Sequence, residues 1–379
     1  MSADTLELVK RLVACRSITP DHGGCLDLIA TRLTAAGFAC ERIDRGGVSN
    51  LWARHGRTAP LVCLAGHVDV VGPGPVEGWT SDPFVPAERD GYLYGRGTAD
   101  MKTGVAALVT AAERFVSTHP AHRGSIAILL TSDEEGDAVD GTVAVVDLLR
   151  SRGERIDACI IGEPTSSARL GDTMRHGRRG SLHGVLTVKG VQGHVAYPEH
   201  GRNPIHMAMP ALAELAATQW DQGDESFAPS SFQFSNMHAG TGAGNVIPGT
   251  LDAVFNFRFS PASPADTLTA RVRAMLDRHG VVYDLAWTVA SLPFISPRGR
   301  LVEVMSGAVY AVTGVKPELS TGGGTSDGRF LIDISAELVE FGPSNATIHA
   351  VDERIRVADI DPLSTIYEQA VTALLTRLE

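Results

Sequence analysis

Hydrophobic positions in the first half of the chain follow two alternating periods. Apolar residues recur at helical spacing in four segments, residues 4–16, 25–37, 101–116 and 142–153. Short apolar runs of the kind found in strands buried on both faces lie between them, at residues 60–71, 124–133 and 156–164. Strands that alternate with helices predict an α/β fold with a mainly parallel central sheet.

The pattern changes near residue 180. Apolar and polar residues now alternate in four predicted strands, at residues 180–191, 231–240, 250–260 and 281–290. Two predicted helices, at 203–220 and 263–280, complete the order β-α-β-β-α-β of a small ferredoxin-like α+β unit. Because the α/β pattern then resumes, we predict a discontinuous catalytic domain over 1–179 and 293–379, interrupted by a second domain over 180–292.

Composition and charge narrow the class of protein. The 379 residues carry 33 basic and 44 acidic side chains, a balance of −11 that argues against a nucleic-acid or anionic-membrane binder. No apolar run is long enough for a transmembrane helix, and the acidic N-terminus lacks the apolar core of a signal peptide. With five scattered cysteines and no C-x-x-C pair, these features predict a reduced, cytoplasmic protein.

Ionisable side chains follow the predicted strands of the first half. They are His67 and Asp69, Asp100 in a Gly-rich turn, Glu134 and Glu135, and Glu163, with His349 much later in the chain. Carboxylates at buried strand ends need a compensating cation. Each residue alone has an ordinary explanation, such as a helix N-cap for Asp100. Their coincidence at successive strand ends, where open parallel sheets bind ligands, indicates one shared site.

Five of these segments, GHVDVV, YGRGTADMKTG, TSDEEG, IIGEP and IHAVDE, resemble the co-catalytic zinc aminoacylase and carboxypeptidase family. The resemblance extends over nearly the whole chain through GRRGSLHG, VQGHVAYPEHGRNPIHMA, HAGTGAGNVIPG, TGGGTSDGRF and VEFGPSNATIH. It implies a zinc-exopeptidase-like catalytic domain with an inserted dimerisation and lid domain. One departure is that Ala243-Gly244 precede Asn245 where the family more usually has Ser-Asn.

The resemblance implies two zinc ions with one shared ligand. His67, Glu163 and Asp100 would hold one ion, and His349, Glu135 and Asp100 the other. Counting the shared carboxylate twice gives three protein ligands per metal, the pattern of catalytic zinc sites that keep an open position. Oxygen and imidazole ligands would also accept cobalt or manganese.

Glu134 is then the predicted general base of an amide hydrolysis. Because successive strand residues point to opposite sides, Glu135 can face metal while Glu134 faces the attacking water. Asp69 shares a strand face with His67. We expect the carboxylate of Asp69 to accept a hydrogen bond from the second ring nitrogen of His67, which orients this ligand.

The resemblance also implies residues outside the metal site. His194 would reach the partner subunit's active site and stabilise the oxyanion. Asn245, in the segment HAGTGAGNVIPG, would have the same role. We therefore expect a homodimer. Arg178, Tyr197, Arg258 and Asn345 would contact an anionic substrate. The Gly-rich turn at Gly324 and Thr325 has no phosphate-loop ending, but its backbone amides can bind a carboxylate.

Several alternatives stay open at this stage. The metal ligands do not separate a deacylase for a succinylated, multiply carboxylated substrate from an acetylornithine deacetylase or a carboxypeptidase, although the arginines and the Gly-rich turn favour the first. A non-catalytic metal-binding protein would have no need for Glu134 and His194. A dinucleotide-binding enzyme is disfavoured because no G-x-G-x-x-G follows the first strand.

Overall fold

The structure, a computed structural model, describes residues 3–376. Residues 1–2 and 377–379, at the two ends of the predicted catalytic domain, lie outside the described residues. The strands of the described part are β1 (Ala39–Arg45), β2 (Val48–His55), β3 (Leu61–His67), β4 (Ala87–Arg89), β5 (Tyr92–Tyr94), β6 (Ser125–Thr131), β7 (Ile156–Ile161), β8 (Thr173–Arg175), β9 (Gly177–Arg178), β10 (Gly180–Lys189), β11 (Gly193–His194), β12 (Ser231–Ala239), β13 (Val246–Ile247), β14 (Thr250–Phe259), β15 (Tyr283–Ser291), β16 (Phe294–Ile295), β17 (Glu318–Ser320), β18 (Ser335–Glu340) and β19 (Arg354–Arg356).

The helices of the same part are α1 (Ala3–Ala14), α2 (Cys25–Ala35), α3 (Thr103–Thr118), α4 (Thr142–Ser151), α5 (Pro204–Ala217), α6 (Ala265–Arg278), α7 (Arg300–Thr313), α8 (Gly328–Leu331) and α9 (Val357–Leu375). Within residues 3–376, no helix combines the length and the apolar character needed to cross a membrane.

The described residues group into two compact units. Unit 1 contains the residues up to Gly177, Ile295–Ser320 and the residues from Ser326 onward, and unit 2 contains Arg178–Phe294 and Thr321–Thr325. Hydrogen bonds connect the short segment Thr321–Thr325 to the rest of unit 2. The Thr321 hydroxyl donates to the Ser226 carbonyl at 2.6 Å, and the Arg178 guanidinium donates to the Gly324 carbonyl at 3.1 Å.

Unit 1 is built on an eight-stranded sheet in the order β1-β2-β6-β3-β7-β18-β8-β17. Its centre, β6-β3-β7-β18, is parallel throughout, which confirms the predicted α/β class with a mainly parallel sheet. Strands β3 and β6 are buried along their whole length, as their continuous apolar runs predict. Helix α3 packs against α1 and α9 in the core of this unit.

The antiparallel edge of this sheet was not predicted. Strands β1 and β2 form a hairpin whose two-residue loop is Gly46-Gly47, with φ of 57° and 87°. Such a loop requires left-handed backbone at both positions, which glycine adopts without steric cost. A Gly-Gly pair between two strand-like runs is a sequence signal for a hairpin.

Unit 2 has its own sheet and core. Its four long strands pair antiparallel in the order β12-β14-β10-β15. Helices α5 and α6 complete the predicted order β-α-β-β-α-β, and their apolar residues share one core with the sheet. Helix α5 begins with Pro204, whose fixed φ suits a first helical position, after Asn203 as N-cap.

Candidate metal centre and active site

The central strands of unit 1 bring the predicted ligands to one edge of the sheet. Strand β3 lies between β6 and β7, and all three run in the same direction. His67 is the last residue of β3, while Glu134 and Glu135 follow β6 and Glu163 follows β7. Asp100 belongs to the turn Thr98–Lys102 that precedes α3, and is therefore not the N-cap of that helix.

The two carboxylate oxygens of Asp100 face two different imidazole rings. His67 Nε2 lies 3.1 Å from Asp100 Oδ1, and His349 Nε2 lies 3.6 Å from Asp100 Oδ2. His349 Nε2 also lies 3.1 Å from Glu135 Oε1. Ligand atoms of His67, Asp100 and Glu135 all lie within 4.8 Å of one another. This arrangement suits a shared carboxylate between two cations.

Glu134 and Glu163 also lie near the Nε2 atom of His67. Glu163 Oε1 lies 3.8 Å and Glu134 Oε2 lies 4.0 Å from His67 Nε2. Burial, together with the negative charges of Glu163, Asp327 and Glu135, holds the pKa of Glu134 well above its usual value. Its side chain keeps 16% of its surface exposed, so a water molecule can reach it.

The electrostatics of the cluster test whether these residues fit a metal pair. Burial of His67 favours a neutral ring, but the hydrogen bond with Asp100 and the charges of Glu134 and Asp69 outweigh it and hold the pKa of His67 well above its usual value. The carboxylates that lie near this buried imidazole and make the site strongly negative are those of Asp69, Asp100, Glu134, Glu135 and Glu163. Two histidines with carboxylate oxygens are donors that divalent zinc, cobalt and manganese accept, so the residues fit such ions.

Asp69 connects the end of β3 with the turn after β6. The Nδ1 atom of His67 lies 2.9 Å from the backbone carbonyl oxygen of Asp69, closer than its carboxylate at 3.6 Å. The carboxylate instead accepts hydrogen bonds from the backbone amides of Glu135 at 3.0 Å and Glu134 at 3.4 Å. Asp69 therefore contacts His67 through its main chain and the two glutamates through its side chain.

Two acidic residues near the site were missed by the sequence analysis. The buried Glu353 carboxylate accepts hydrogen bonds from the backbone around Asp100 and forms an ion pair of 2.6 Å with Arg96. Asp327 is buried and accepts a hydrogen bond of 2.6 Å from the Thr142 hydroxyl. Both residues lie inside segments already quoted, IHAVDE and TGGGTSDGRF, but sequence spacing gives no sign that their side chains turn inward.

Unit 2 brings three of the predicted residues together in its own loops. The backbone amide of Val195 donates to the Asn245 carbonyl at 3.1 Å, and β11 pairs with β13 beside this contact. His194 accepts a hydrogen bond of 3.0 Å from the Ala196 amide, and its ring lies 5.7 Å from that of Tyr197. His194 and Tyr197 are exposed in the described chain.

The predicted substrate-contacting residues fall into both units. Arg178 is buried in unit 2 and donates to the Gly324 carbonyl in the segment that ends with Thr325. Arg258 lies on β14, where burial and the charge of Arg179 lower its guanidinium pKa. Asn345 lies in unit 1, where its backbone amide donates to the Ser166 carbonyl at 2.8 Å.

Comparisons with known proteins identify the family of the chain. A sequence model of peptidase family M20/M25/M40 matches residues 63–373. A protein of Aromatoleum aromaticum named succinyl-diaminopimelate desuccinylase is 60% identical over 374 residues, covering 99% of this chain and 97% of its own. A protein of Nitrosomonas europaea with the same name is 58% identical over 375 residues, covering 99% of this chain and 100% of its own.

Solved structures share the fold at low sequence identity. An M20 family metallo-carboxypeptidase of Sulfolobus solfataricus has a TM-score of 0.81 at 16% identity, over 98% of this chain and 99% of its own. A dinuclear metal-binding M20 peptidase of Bacillus subtilis has a TM-score of 0.74 at 15% identity, over 98% of each chain. The family match and the close relatives together lead to one conclusion: the chain belongs to peptidase family M20/M25/M40.

Proposed function

We propose that this protein hydrolyses the amide bond of N-succinyl-L,L-2,6-diaminopimelate, which releases succinate and L,L-2,6-diaminopimelate. The observation that carries the proposal is the position of Asp100 between His67 and His349, with Glu134 beside the same cluster. The names of relatives about 60% identical over nearly the whole chain support the substrate. The reaction belongs to diaminopimelate and lysine biosynthesis.

Two divalent cations, zinc in the first instance, complete the proposed site. His67, Glu163 and Asp100 would hold one, and His349, Glu135 and Asp100 the other. When bound, such ions polarise the amide carbonyl and lower the pKa of a water molecule. The three ligand carboxylates largely offset the charge of the two cations, which makes the pair tolerable in a largely buried site.

Glu134 carries the proton in the proposed reaction. Its carboxylate accepts a proton from the water that attacks the succinyl carbonyl carbon. It then returns this proton to the leaving amine nitrogen as the carbon–nitrogen bond breaks. The position of Glu134 suits this exchange, because its carboxylate lies beside the cluster, 4.0 Å from His67 Nε2, and keeps an exposed part that water can reach. Asp69 fixes the backbone of this glutamate during both steps.

Arginine side chains are proposed to bind the carboxylates of the substrate. Arg178 and Arg258 supply guanidinium groups that bind carboxylates in a bidentate manner. Tyr197, Asn345 and the backbone at Gly324 and Thr325 would add further contacts. This local positive charge would offset the acidic balance of the whole chain for an anionic substrate.

We further propose a cytoplasmic homodimer. His194 of each subunit would donate a hydrogen bond to the oxyanion formed in the other subunit's site, with Asn245 beside it. The exposure of His194 and Tyr197 in the described chain is compatible with a role toward a second copy. Unit 2 would then serve in dimerisation and as a lid.

The substrate is tested by steady-state kinetics with zinc-loaded protein. We expect kcat/KM for N-succinyl-L,L-diaminopimelate to exceed that for acetylornithine by more than about a hundredfold, since the acetyl group has no carboxylate for the proposed arginines to bind. Higher activity on acetylornithine would indicate that the protein is an acetylornithine deacetylase. No amide hydrolysis with either substrate, in protein shown to contain two metals, would contradict an enzymatic role.

A further inference from the structure

The side chain of Met101 packs against the ends of two strands of the central sheet. Met101 directly follows Asp100 in the turn Thr98–Lys102 and is fully buried. An alanine Cβ at Gly66 would lie 2.5 Å from Met101 Cε, and one at Gly162 would lie 2.9 Å from the same atom. The terminal methyl group of Met101 therefore lies directly against the main chain at both glycines.

These two glycines directly precede two of the proposed metal ligands. Gly66 precedes His67 at the end of β3, and Gly162 precedes Glu163 after β7. Met101 itself follows the proposed shared ligand in the chain. One buried side chain thus contacts the residue before each of two ligands and belongs to the residue after a third.

The sulfur atom of Met101 makes a further contact with the end of β3. The backbone amide of His67 donates a hydrogen bond of 3.4 Å to Met101 Sδ, and His67 is almost fully buried. A thioether is a weak acceptor, but a buried amide without a partner would be costly. One residue before Gly66, the Ala65 carbonyl accepts from the Gly162 amide at 3.0 Å. The two strand ends are therefore bonded to each other and covered by the same side chain.

The close approach at this point depends on residues without side chains. A Cβ at Gly104, the second residue of α3, would lie 2.1 Å from the Gly162 carbonyl oxygen, and one at Gly342 would lie 2.4 Å from the Glu163 carbonyl oxygen. Neither these two glycines nor Gly66 and Gly162 have a positive φ. The packing, and not a left-handed backbone, therefore requires glycine at these four positions.

We infer that Met101 is a positioning residue, whose side chain sets the spacing between His67, Glu163 and the turn of Asp100. The methyl group of Met101 fixes the distance between the turn and both strand ends, and its sulfur fixes the main chain of His67. The inference rests on the metal ligands of the proposed function. It adds a buried apolar residue that binds neither metal nor substrate.

The other proposed ion has a different support. Its unshared ligands are Glu135 and His349, and the Glu135 amide donates to the Asp69 carboxylate at 3.0 Å after strand β6. Neither ligand follows one of the two strand ends that Met101 contacts. We therefore expect a change at Met101 to weaken the ion at His67 more than the ion at His349.

The test removes cobalt from the fully loaded, full-length protein by competition with a chelator. Met101→Ala should weaken the binding of one cobalt ion about 10- to 100-fold, the range for groups that orient metal ligands, and the other ion far less. Glu163→Gln shows which dissociation step belongs to the affected ion. Met101→Leu keeps an apolar side chain but no acceptor for the His67 amide, and should weaken the same ion about tenfold.

A matched control is Met305→Ala. Met305 is a fully buried methionine of α7 in the same hydrophobic core, so its loss leaves a cavity of similar origin. The Met305→Ala variant should melt at a lower temperature and bind both cobalt ions as tightly as the unchanged protein. This comparison separates a positioning role from a general loss of packing.

An exchange of volume tests the contact itself. Gly66→Ala adds a methyl group where Met101 Cε lies 2.5 Å away, and should also weaken the ion at His67. Met101→Ala vacates this space, so the double variant should bind cobalt more tightly than the two separate losses together predict. Strictly additive losses would contradict a direct contact between the two positions.

Three further results would overturn the inference. They are unchanged affinity for both ions in Met101→Leu, equal weakening of both ions in the Met101 variants, and a loss of affinity in Met305→Ala as large as in Met101→Ala. Because Met101→Leu preserves most of the buried volume, it keeps the test decisive even if Met101→Ala does not fold. Fewer than two cobalt ions in the unchanged protein would instead contradict the proposed metal pair, and with it this role of Met101.

Discussion

The buried carboxylate of Glu353 accepts a hydrogen bond of 3.0 Å from the backbone amide of Asp100, the residue whose side chain faces both histidines. The same carboxylate accepts hydrogen bonds from Ala99 at 2.7 Å and Gly97 at 2.9 Å. The Arg96 guanidinium offsets its charge at 2.6 Å and donates to the His349 carbonyl at 3.4 Å. One carboxylate outside the predicted ligand set thus positions the turn of Asp100, the proposed shared ligand, and, through Arg96, the backbone of His349.

We predict that Glu353→Gln weakens metal binding about 10- to 100-fold, the range for partners that orient metal ligands. The amide nitrogen of glutamine would face backbone N–H groups that need an acceptor. Affinity is measured by competition with a chelator, followed by metal analysis and activity.

A matched control for this substitution is Glu337→Gln. Glu337 lies in the first half of strand β18, whereas the predicted ligands follow the last residues of the neighbouring parallel strands. Its carboxylate accepts a hydrogen bond of 2.7 Å from the Leu301 amide at the start of α7. The Glu337→Gln variant should be less stable than the unchanged protein and should bind metal with the same affinity. Equal metal affinity in Glu353→Gln and the unchanged protein would show that the turn at Asp100 holds its shape without this carboxylate.

Asp69→Asn should lower turnover about 10- to 100-fold with most of the metal retained. The backbone carbonyl that accepts from His67 is unchanged, whereas the side-chain contacts with the amides of Glu134 and Glu135 lose an acceptor. Turnover and metal content are measured on the same samples. Asp133→Asn is the control, because Asp133 accepts from the Val139 and Asp140 amides in the adjacent turn. A loss of metal equal to the loss of turnover would contradict this assignment.

The central elements of the fold follow from the sequence because their signals are local. The runs at 60–71, 124–133 and 156–164 form β3, β6 and β7, and their shared direction explains why residues after them meet. The alternation after residue 180 likewise predicts the four long strands of unit 2. In both cases the apolar period reports directly which faces are buried.

Contacts between distant segments carry no such signal. Glu353 lies more than 250 residues from the turn that it positions, and nothing in its spacing distinguishes it from a solvated glutamate. The segment Thr321–Thr325 groups with unit 2 because of Arg178 and Ser226, although it follows chain that belongs to unit 1. The sequence predicted that the carboxylate of Asp69 contacts His67. In the structure the backbone carbonyl of Asp69 makes the closer contact, which only the geometry of the chain can show.

The contribution of Asp327 to the stability of the metal-free protein should fall as pH rises from about 4 to about 6. Burial raises the pKa of Asp327 to about 6, although the Thr142 hydroxyl opposes this. Because an unfolded aspartate has a pKa of about 3.9, the folded state binds more protons in this window and its stability falls as they leave. Asp327→Asn should flatten the profile, measured as melting temperature against pH in the presence of a chelator.

A control of opposite sign is Asp172→Asn. Burial of Asp172 is outweighed by hydrogen bonds from the amides of Ser167, Arg169 and Ala168, which lower its pKa. Its contribution is present above the unfolded pKa and is lost on acidification. If Asp327→Asn leaves the slope between pH 4 and 6 unchanged, this carboxyl does not bind a proton in the folded, metal-free protein.

Mixed dimers test whether His194 acts on the partner subunit. His194→Ala and Glu134→Gln should each be nearly inactive alone, since removing one oxyanion donor costs about 10²–10³ in kcat. After dissociation and reassociation of equal amounts, we expect about a quarter of the unchanged activity, because half of the dimers would have one intact site. His238→Ala, a substitution of another exposed histidine of unit 2, is the control and should be active alone. No recovery in proven mixed dimers would exclude action across subunits.

The role of Glu134 as the proton carrier is tested most directly by measuring turnover and metal content in the Glu134→Gln variant. Glutamine keeps the size of the side chain but cannot accept the proton of the attacking water. We expect two metals per subunit, as in the unchanged protein, with kcat for succinyl-diaminopimelate reduced about 10²- to 10⁴-fold. Turnover close to that of the unchanged protein, with both metals bound, would contradict the assignment of Glu134 as the proton carrier.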